Sequence, residues 1–218
     1  MRLDNRLNAI LTEIKAQRLA DIGADHGKLI VSAVLTGRAE TGIAVDISPQ
    51  SLEKAKNLAK KYNVADRIEF LCSDGLEEVQ GADCIVIAGM GANEIIKILS
   101  RKRIPDAVYI TLPHQDTPYL RKYLFEENFF IKKDYIIKEN QRYYSVIIFV
   151  EGKSNYSKEE LFFGKNTPPS AAFEEYLYHR KEAIDNIISQ AGSIDKISSA
   201  LRAEKKEIER CLIKLKML

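Results

Sequence analysis

The chain has 218 residues, of which 45% are hydrophobic and 29% are charged, proportions typical of a globular protein with a buried core. Its 33 basic and 31 acidic residues leave a formal net charge of +2, which excludes a chain that binds nucleic acid through an overall basic field. The N-terminus is charged and amphipathic, and no segment approaches the ~18 consecutive apolar residues of a membrane span, so we expect a cytoplasmic protein without membrane contact.

The first elements are a predicted helix and then a strand, a turn and a second helix. Residues 3–14 carry leucine and isoleucine at helical spacing, and we expect this helix close to the ligand site of the next unit. Residues 19–22 form an apolar strand that stops at Gly23, and a helical pattern resumes at Lys28. Backbone N–H groups at such a helix start can hold a ligand without help from a side chain.

The turn reads Asp21-Ile-Gly-Ala-Asp-His-Gly27 and lacks the middle glycine of a dinucleotide-binding fingerprint. Asp25 stands between the two glycines, where its carboxylate would repel a pyrophosphate. The spacing therefore favours a nucleoside without phosphate, such as S-adenosylmethionine (AdoMet), whose sulfonium is positive. An ordinary loop with two convenient glycines is the alternative.

The next two predicted strands each lead into an acidic residue. Residues 42–46 end in Asp46, and a carboxylate at that strand end can accept hydrogen bonds from ribose hydroxyls. Capping the following helix is the alternative role, although Ser48 and Pro49 already supply helix start signals. Asp74 follows the third strand and suits the exocyclic amine of an adenine, or serves only as a turn residue.

The middle of the chain predicts the centre of a sheet and its closing edge. Residues 82–91 are the most apolar strand and end at glycines that let a ligand approach the backbone. A fifth strand, residues 107–112, leads into Pro113 and His114, and a helix follows it. Three closing strands come next, the last two joined as a hairpin: residues 129–131, 135–137 and 143–150. Five βα repeats followed by an antiparallel pair predict an α/β fold with a doubly wound, Rossmann-like sheet, and the closing hairpin is typical of methyltransferases rather than dehydrogenases.

The composition changes after Val150, where a polar segment leads to a break and a helix cap at Thr167-Pro-Pro-Ser170. Apolar stripes over residues 173–191 and 194–215 predict two helices of about twenty residues joined by a two-residue turn. We therefore expect an AdoMet-binding domain at residues 1–152 and a helical domain at 153–218. Packing or dimerisation is the preferred role of this hairpin, and a substrate arm is the alternative.

The three cysteines, Cys72, Cys84 and Cys211, lie far apart along the chain. They form no C-x-x-C pair and no Cys/His cluster with metal-ligand spacing. We expect reduced core thiols and no metal.

Taken together, these motifs resemble the bacterial tRNA adenine-N1 methyltransferases that modify position 22, an AdoMet-dependent class I family with a C-terminal coiled-coil hairpin. The motifs Asp21-Ile-Gly-Ala-Asp-His-Gly27, Cys72-Ser-Asp-Gly75 and Ile87-Ala-Gly-Met-Gly91 carry the resemblance, which spans essentially the whole chain. It implies AdoMet as the cofactor, tRNA as the partner, and the following cofactor-binding residues: Asp21, Gly23, Gly27, Asp46, Ile47, Ser73, Asp74, Gly75, Ala88, Gly89, Met90 and Gly91.

Two departures from the family pattern concern the substrate side. The family continues its central motif as glycine-glycine, whereas Ala92 follows Gly91 here. The family also has asparagine after the fifth-strand proline, whereas His114 follows Pro113 in this chain. His114 either replaces the asparagine as a hydrogen-bond donor to the target base or marks an altered substrate specificity.

Methylation at adenine N1 needs positioning more than a base, because N1 already has a free lone pair. A nearby carboxylate would stabilise the positive charge of the product or take the exocyclic proton, which makes Asp25 the candidate catalytic residue, with His26 orienting it or contacting the base. A turn-stabilising residue and an exposed loop residue are the alternatives for these two. The candidate substrate contacts are Pro113, His114, Arg2, Arg6 and Lys28, with residues 101–103 as further phosphate contacts and no role expected for His179.

Competing hypotheses keep part of this pattern. A methyltransferase for another RNA site or a small molecule would share the pocket, and the small-molecule enzyme would not need a basic face. A non-catalytic AdoMet- or RNA-binding module would tolerate loss of the glycines and acids that this chain retains. A nicotinamide dehydrogenase requires the missing middle glycine. The oligomeric state, monomer or weak dimer, stays open.

Overall fold

A seven-stranded mixed sheet forms the centre of this computed structural model, which describes residues 1–153, 155–166 and 169–217. The first half of the chain supplies α1 (Asn5–Glu13), β1 (Ala16–Ile22), α2 (Lys28–Leu35), β2 (Ala39–Asp46), α3 (Pro49–Lys61), β3 (Ile68–Cys72), β4 (Cys84–Ala88) and α4 (Ala92–Arg101). The second half supplies β5 (Val108–Leu112), α5 (Thr117–Glu126), β6 (Phe129–Glu139), β7 (Arg142–Glu151), α6 (Lys158–Phe163), α7 (Ala171–Ala191) and α8 (Ser199–Leu215).

The strand order is β3-β2-β1-β4-β5-β7-β6, in which β7 alone runs antiparallel to both its neighbours. The prediction of a doubly wound sheet with a closing hairpin is confirmed. The order reverses between β1 and β4, whose central residues are buried because helices cover both faces of the sheet. Ligands of such sheets bind at this reversal, beyond the carboxyl ends of the strands.

Two parts of the sheet differ from the expectation. The connection from β3 to β4 makes a turn at residues 75–78 instead of a helix, so β3 does not form one of the predicted strand–helix repeats. The runs at residues 129–131 and 135–137 belong to one strand, β6, which has a register shift between Ile131 and Lys133. The extra residue at the shift moves the buried side chains from odd to even positions, which made one strand look like two.

The leading helix α1 lies over the sheet edge that carries the ligand site. The Asp4 carboxylate caps it by accepting from the N–H of Leu7, at 2.9 Å. Its Glu13 accepts hydrogen bonds from Lys133 and Tyr135 of β6. At the other end the N–H of Asn5 donates to Glu139 of β6, so both ends of α1 are attached to β6 and Arg6 faces the site described below.

The C-terminal helices begin with α6, a short helix capped by Ser157 that the sequence analysis does not predict. Ser170 caps α7 as expected, whereas Thr167 and Pro168 lie outside the described residues. The connection from α7 to α8 spans residues 192–198 and contains a 3-10 turn, so the two-residue turn is wrong. Arg180 of α7 binds Glu204 of α8 with two hydrogen bonds, which holds the helices as antiparallel neighbours.

A buried ion pair attaches these helices to the sheet. Arg121 of α5 and Asp134 of β6 are 1% and 3% exposed and form two hydrogen bonds of 2.7 and 3.0 Å. The guanidinium of Arg121 also donates to the carbonyl of Phe162 in α6, at 2.7 Å. The division into domains at residues 152 and 153 stays a prediction.

Across the part of the chain that the structure describes, every helix is too short or too polar to span a bilayer. Cys84 and Cys211 are buried free thiols, whereas Cys72 is exposed at the end of β3, so the expectation of a core position is wrong for that residue.

Candidate active site

Two clefts open at the carboxyl ends of the parallel strands and meet at Gly23. The first cleft has a volume of about 300 Å³ and is lined by Asp21, Gly23, Asp25, His26, Lys28, Ala88, Gly89, Arg6 and His114, among others. The second cleft has a volume of about 280 Å³ and is lined by Gly23, Asp46, Ile47, Ser73, Asp74, Gly75, Met90 and Arg101, among others. Residues predicted from separate motifs therefore line two neighbouring clefts that share Gly23, and we refer to the two clefts together as the groove.

Gly27 and Gly91 line neither cleft. Gly27 is the N-terminal cap of α2 and has a φ of +70°, and a Cβ there would lie 2.7 Å from the Cβ of Ala55. Gly91 caps α4, and its N–H donates to the carboxylate of Glu94 at 2.9 Å. These two glycines lie behind the groove, and Gly27 allows the start of α2 to pack closely against α3.

The turn after β1 is held by hydrogen bonds to β2. The N–H groups of Gly23 and Ala24 donate to the carbonyl of Val45, at 2.8 and 2.9 Å. The N–H of Asp25 donates to Oδ2 of Asp46, at 2.9 Å. These bonds fix the backbone of the turn at the junction of the two clefts.

Asp46 uses both carboxylate oxygens within the protein, because its Oδ1 also accepts from the N–H of Ser48, at 2.8 Å. The cap of α3 is Ser48, whose hydroxyl accepts from the N–H of Ser51. A carboxylate offers about four acceptor positions, so the half-buried Asp46 retains capacity toward the second cleft. The capping alternative for Asp46 is therefore excluded.

Asp21 lies at the end of β1 and is only 4% exposed. Its pKa is raised to about 7, chiefly by burial and also by the neighbouring charge of Asp46, against a hydrogen bond from the N–H of Ile30 that lowers it. Ile30 belongs to the first turn of α2, which receives no side-chain cap from Gly27. Asp21 thus supplies an acceptor to the start of α2 from beneath the first cleft.

Asp25 and His26 lie at the rim of the first cleft and are exposed. Asp25 adopts a left-handed conformation with a φ of +47°, which aspartate tolerates better than most residues. The Nε2 atom of His26 lies 3.5 Å from Oδ1 of Asp25 and 3.2 Å from Nζ of Lys54. The structure therefore brings the two catalytic candidates together beside the groove.

Asp74 is held in the second cleft by Arg101, whose Nη1 donates to its Oδ2 at 2.8 Å. The hydrogen bond from Arg101 lowers the pKa of Asp74, despite partial desolvation. Lys102 donates to the carbonyls of Glu77 and Val79, and Arg103 pairs with Glu127. The three cations at positions 101–103 are engaged within the protein, so the hypothesis that they contact phosphate is not supported.

A third cleft of about 680 Å³ adjoins the first and lies between β7 and α7. The two clefts share Arg6 and His114, and Pro113 lines the third cleft from a buried position. The guanidinium of Arg6 lies 5.4 Å from the ring centre of Tyr144, and the His114 ring meets the same tyrosine edge to face at 5.9 Å. Burial lowers the pKa of His114, and the charges of Arg6 and Arg142 lower it further, which favours the neutral imidazole.

The remaining substrate candidates divide between the rim and the outside. Lys28 is exposed at the rim of the first cleft, whereas Arg2 is exposed and lies outside all three clefts. The sequence predicts no site role for Tyr143, Tyr144 or His179, yet all three line the third cleft. No local signal marks them, because the cleft forms only where β7 and α7 lie side by side. Among the described residues, no group of three His, Cys, Asp or Glu side chains is arranged to hold a metal ion.

Comparisons with known proteins agree with this geometry. A family model described as a methyltransferase domain matches residues 3–147. The tRNA (adenine(22)-N(1))-methyltransferase of Bacillus subtilis is 28% identical over 212 residues, covering 94% of this chain and 89% of that protein. The crystal structure of the B. subtilis M1A22 tRNA methyltransferase TrmK superposes with a TM-score of 0.78 at 25% identity, covering 99% of this chain and 98% of that one. M. capricolum TrmK, solved with S-adenosylhomocysteine, shares the fold with a TM-score of 0.86 at 24% identity, over 97% and 98% of the two chains.

Proposed function

The chain belongs to the methyltransferase domain family, and on that premise we propose that it transfers the methyl group of AdoMet to N1 of the adenine at position 22 of tRNA. The observation that carries the proposal is the pair of clefts that share Gly23, in a chain that aligns over 94% of its length with a relative named for this reaction. Because tRNA is the proposed partner, we also propose that the protein acts in the cytoplasm.

The residues of the groove fit AdoMet. The second cleft offers the carboxylates of Asp46 and Asp74, acceptors that suit ribose hydroxyls and the adenine amine. The first cleft contains Asp21 and Asp25, which suit the positive amino and sulfonium groups. At Gly89 the φ is +80° and no heavy atom lies within 4 Å of where a Cβ would stand, which leaves open space beside the backbone. AdoMet, when bound, supplies an electrophilic methyl group.

The task of the protein side chains is to orient the adenine and to stabilise its charge. The free lone pair of N1 attacks without prior deprotonation, so alignment of the reacting atoms supplies most of the rate enhancement. Arg6 and His114 stand at the mouth of the first cleft, where a neutral imidazole can donate to the base. The Asp25 carboxylate at the rim stabilises the positive charge that the methylated ring acquires, or accepts its exocyclic proton.

The proposal is tested by mass spectrometry of nucleosides from unmodified tRNA that has been incubated with the protein and methyl-labelled AdoMet. We expect labelled 1-methyladenosine from wild-type tRNA, and none when the adenine at position 22 is replaced by guanine. Labelled 1-methyladenosine that persists after this replacement would assign the enzyme to another RNA site. No labelled nucleoside, despite measurable AdoMet binding, would contradict the proposal and direct the search to small molecules.

The role of Asp25 is tested with a matched pair of variants. Asp106 has a left-handed φ of +59°, lies in an exposed turn before β5, and is remote from the groove. Asp25→Ala and Asp25→Asn should lower kcat about 10²- to 10⁴-fold, the usual contribution of a general acid or base, whereas Asp106→Ala should leave it unchanged. Full activity of Asp25→Asn would show that the carboxylate charge is not used.

A further inference from the structure

We propose that the third cleft binds the nucleotide next to the target adenine, so that α7 forms one wall of the RNA site instead of serving only for packing. This inference rests on the proposed function and extends it to a second base of the substrate. The cleft has a volume of about 680 Å³, within the range of sites that hold small organic groups.

The third cleft adjoins the first. Arg6 and His114 line both clefts, so the two clefts share a rim at these side chains. One phosphate joins consecutive nucleotides, so a target adenine at the mouth of the first cleft, beside Arg6 and His114, brings its neighbour to the third cleft. The target base must be unpaired to expose N1, which leaves the neighbouring base free to seek another stacking partner.

Aromatic side chains line the third cleft. Tyr144 presents a half-buried ring beside Arg6 and His114, and His179 of α7 is exposed toward the cleft. The ring of Tyr143 lies 5.5 Å from that of His179, so β7 and α7 meet through aromatic side chains. Aromatic faces stack with any nucleobase, which suits a site that must accept the base beside the target.

The arginines that line the third cleft include Arg6, Arg142 and Arg180. Arg180 pairs with Glu204 and Arg6 pairs with Asp4. Within the described part of the chain, no carboxylate lies within 4.0 Å of the Arg142 guanidinium. Arg142 is exposed and lines the third cleft, so its charge is available to the phosphate between the two nucleotides.

The far wall of the cleft is held in position. Arg121 lines the cleft floor and binds Asp134 of β6 and the carbonyl of Phe162 in α6. Leu177 and Ile184 of α7 are buried in the same cluster as Ile136 of β6. Because the wall is attached through buried contacts, the space between β7 and α7 is a defined site and not a gap between loosely joined parts.

The experiment measures binding, so that it does not depend on methyl transfer. The Kd of fluorescently labelled tRNA is determined with S-adenosylhomocysteine present, for intact tRNA and for two molecules that lack the base on the 5′ or the 3′ side of the target adenine. We expect one missing base to weaken binding by wild-type protein at least fivefold. His179→Ala should weaken binding of intact tRNA by a similar factor. For the tRNA whose missing base weakens wild-type binding, the Kd of His179→Ala should equal that of wild type.

Two further variants separate charge from stacking. Arg142→Ala should weaken binding of all three tRNAs by the same factor, with a smaller dependence on salt. Arg67→Ala, which removes an exposed arginine at the amino end of β3, is the matched control and should change nothing. The melting temperature and the Kd for S-adenosylhomocysteine should be unchanged in His179→Ala, which would exclude a merely structural effect.

The proposal is overturned if neither missing base affects wild-type binding, or if His179→Ala loses the same factor on intact and abasic tRNA. Failure of the proposed function is distinguished by the methyl-transfer experiment, because the protein would then methylate no tRNA, whatever Kd values are measured. If methyl transfer fails while the base and His179 remain coupled in binding, the third cleft is an RNA site in a protein with another activity.

Discussion

The main-chain N–H of Asp25 donates to Oδ2 of Asp46, so the acid at the end of β2 holds the turn that follows β1. Asp46→Ala removes this acceptor and the acceptor for Ser48, and the turn loses its support. Hydrogen bonds to charged groups are worth ~1.5–3 kcal/mol, so we expect S-adenosylhomocysteine to bind roughly 10- to 100-fold more weakly. Isothermal titration calorimetry measures the change. Asp46→Asn keeps one acceptor oxygen, so its affinity for S-adenosylhomocysteine should lie between those of wild type and Asp46→Ala. Equal affinities for all three proteins would contradict this role of Asp46.

Three glycines with a positive φ allow strain and crowding to be measured separately. Gly37 has a φ of +72° and open space around it, so Gly37→Ala should cost about 1–2 kcal/mol of unfolding free energy through backbone strain alone. Gly23→Ala should cost a similar amount, because the Met90 methyl group that a Cβ would meet at 2.5 Å can swing away. Gly27→Ala should cost more, because its Cβ would meet the backbone of Ala55 at 3.0 Å.

Urea denaturation gives the order of stability, and cofactor titration gives the functional contrast. Of the three variants, only Gly23→Ala should bind AdoMet more weakly while it stays folded, because the displaced Met90 side chain must enter the groove. Equal cofactor affinity in Gly23→Ala and Gly37→Ala would show that the junction of the two clefts is not occupied by the ligand.

Asp74 and Arg101 should together select adenine. An adenine amine donates to the Asp74 carboxylate, whereas hypoxanthine presents an oxygen that the carboxylate repels. The preference is the ratio of the Kd for the inosine analogue to the Kd for S-adenosylhomocysteine, and we expect it to fall at least tenfold in Asp74→Asn. Arg101→Ala should lower it by a smaller factor, because the Asp74 carboxylate stays but loses its hydrogen bond from Arg101. Arg103→Ala, the neighbouring cation that pairs with Glu127, is the control. An unchanged preference in Asp74→Asn would place the adenine elsewhere.

Asp21 should make stability depend on pH. The folded state keeps the Asp21 proton up to a pKa of about 7, whereas the unfolded chain loses it near 3.8. The folded state therefore binds more protons between these values, and the free energy of unfolding falls as the pH rises through this window. Above pH 7 the loss is complete and amounts to roughly 4 kcal/mol.

Asp21→Asn removes this dependence while keeping an acceptor for the N–H of Ile30. Urea midpoints should be measured between pH 5 and 8.5. The stability of Asp21→Asn relative to wild type should increase up to about pH 7 and stay constant above it. Asp106→Asn, which changes an exposed acid, should follow wild type throughout. A difference between Asp21→Asn and wild type that does not vary with pH would show that Asp21 is ionised throughout.

The parts of the fold that local chemistry decides could be predicted from the sequence. The apolar run before Gly23 and the start signals at Ser48 and Pro49 act within a few residues, and the structure has the strand and the helix that they indicate. The groove followed from topology, because the carboxyl ends of neighbouring parallel strands must meet at one edge.

Features that depend on distant contacts could not be predicted. The shift at Ile131 and Lys133 inserts one residue in β6, and only the pairing with β7 shows where it falls. The cations at 101–103 looked available for phosphate because their acceptors, among them Asp74 and Glu127, are about 25 residues away in sequence. The third cleft needs β7 and α7 side by side, which no local pattern reports.

The hydrogen bonds of Arg121 also bear on how the protein can be divided. A fragment that ends after β7 would keep the Asp134 partner but lose the Phe162 carbonyl and the cover of α6, exposing to water a guanidinium that is 1% accessible in the whole chain. The two clefts at Gly23 are lined by residues that lie between Asp4 and His114 in the chain, yet Ile136 of β6 is buried in one cluster with residues of α6, α7 and α8. We therefore expect the helical segment to be inseparable from the rest without redesign of α5 and β6, the elements that carry Arg121 and Asp134.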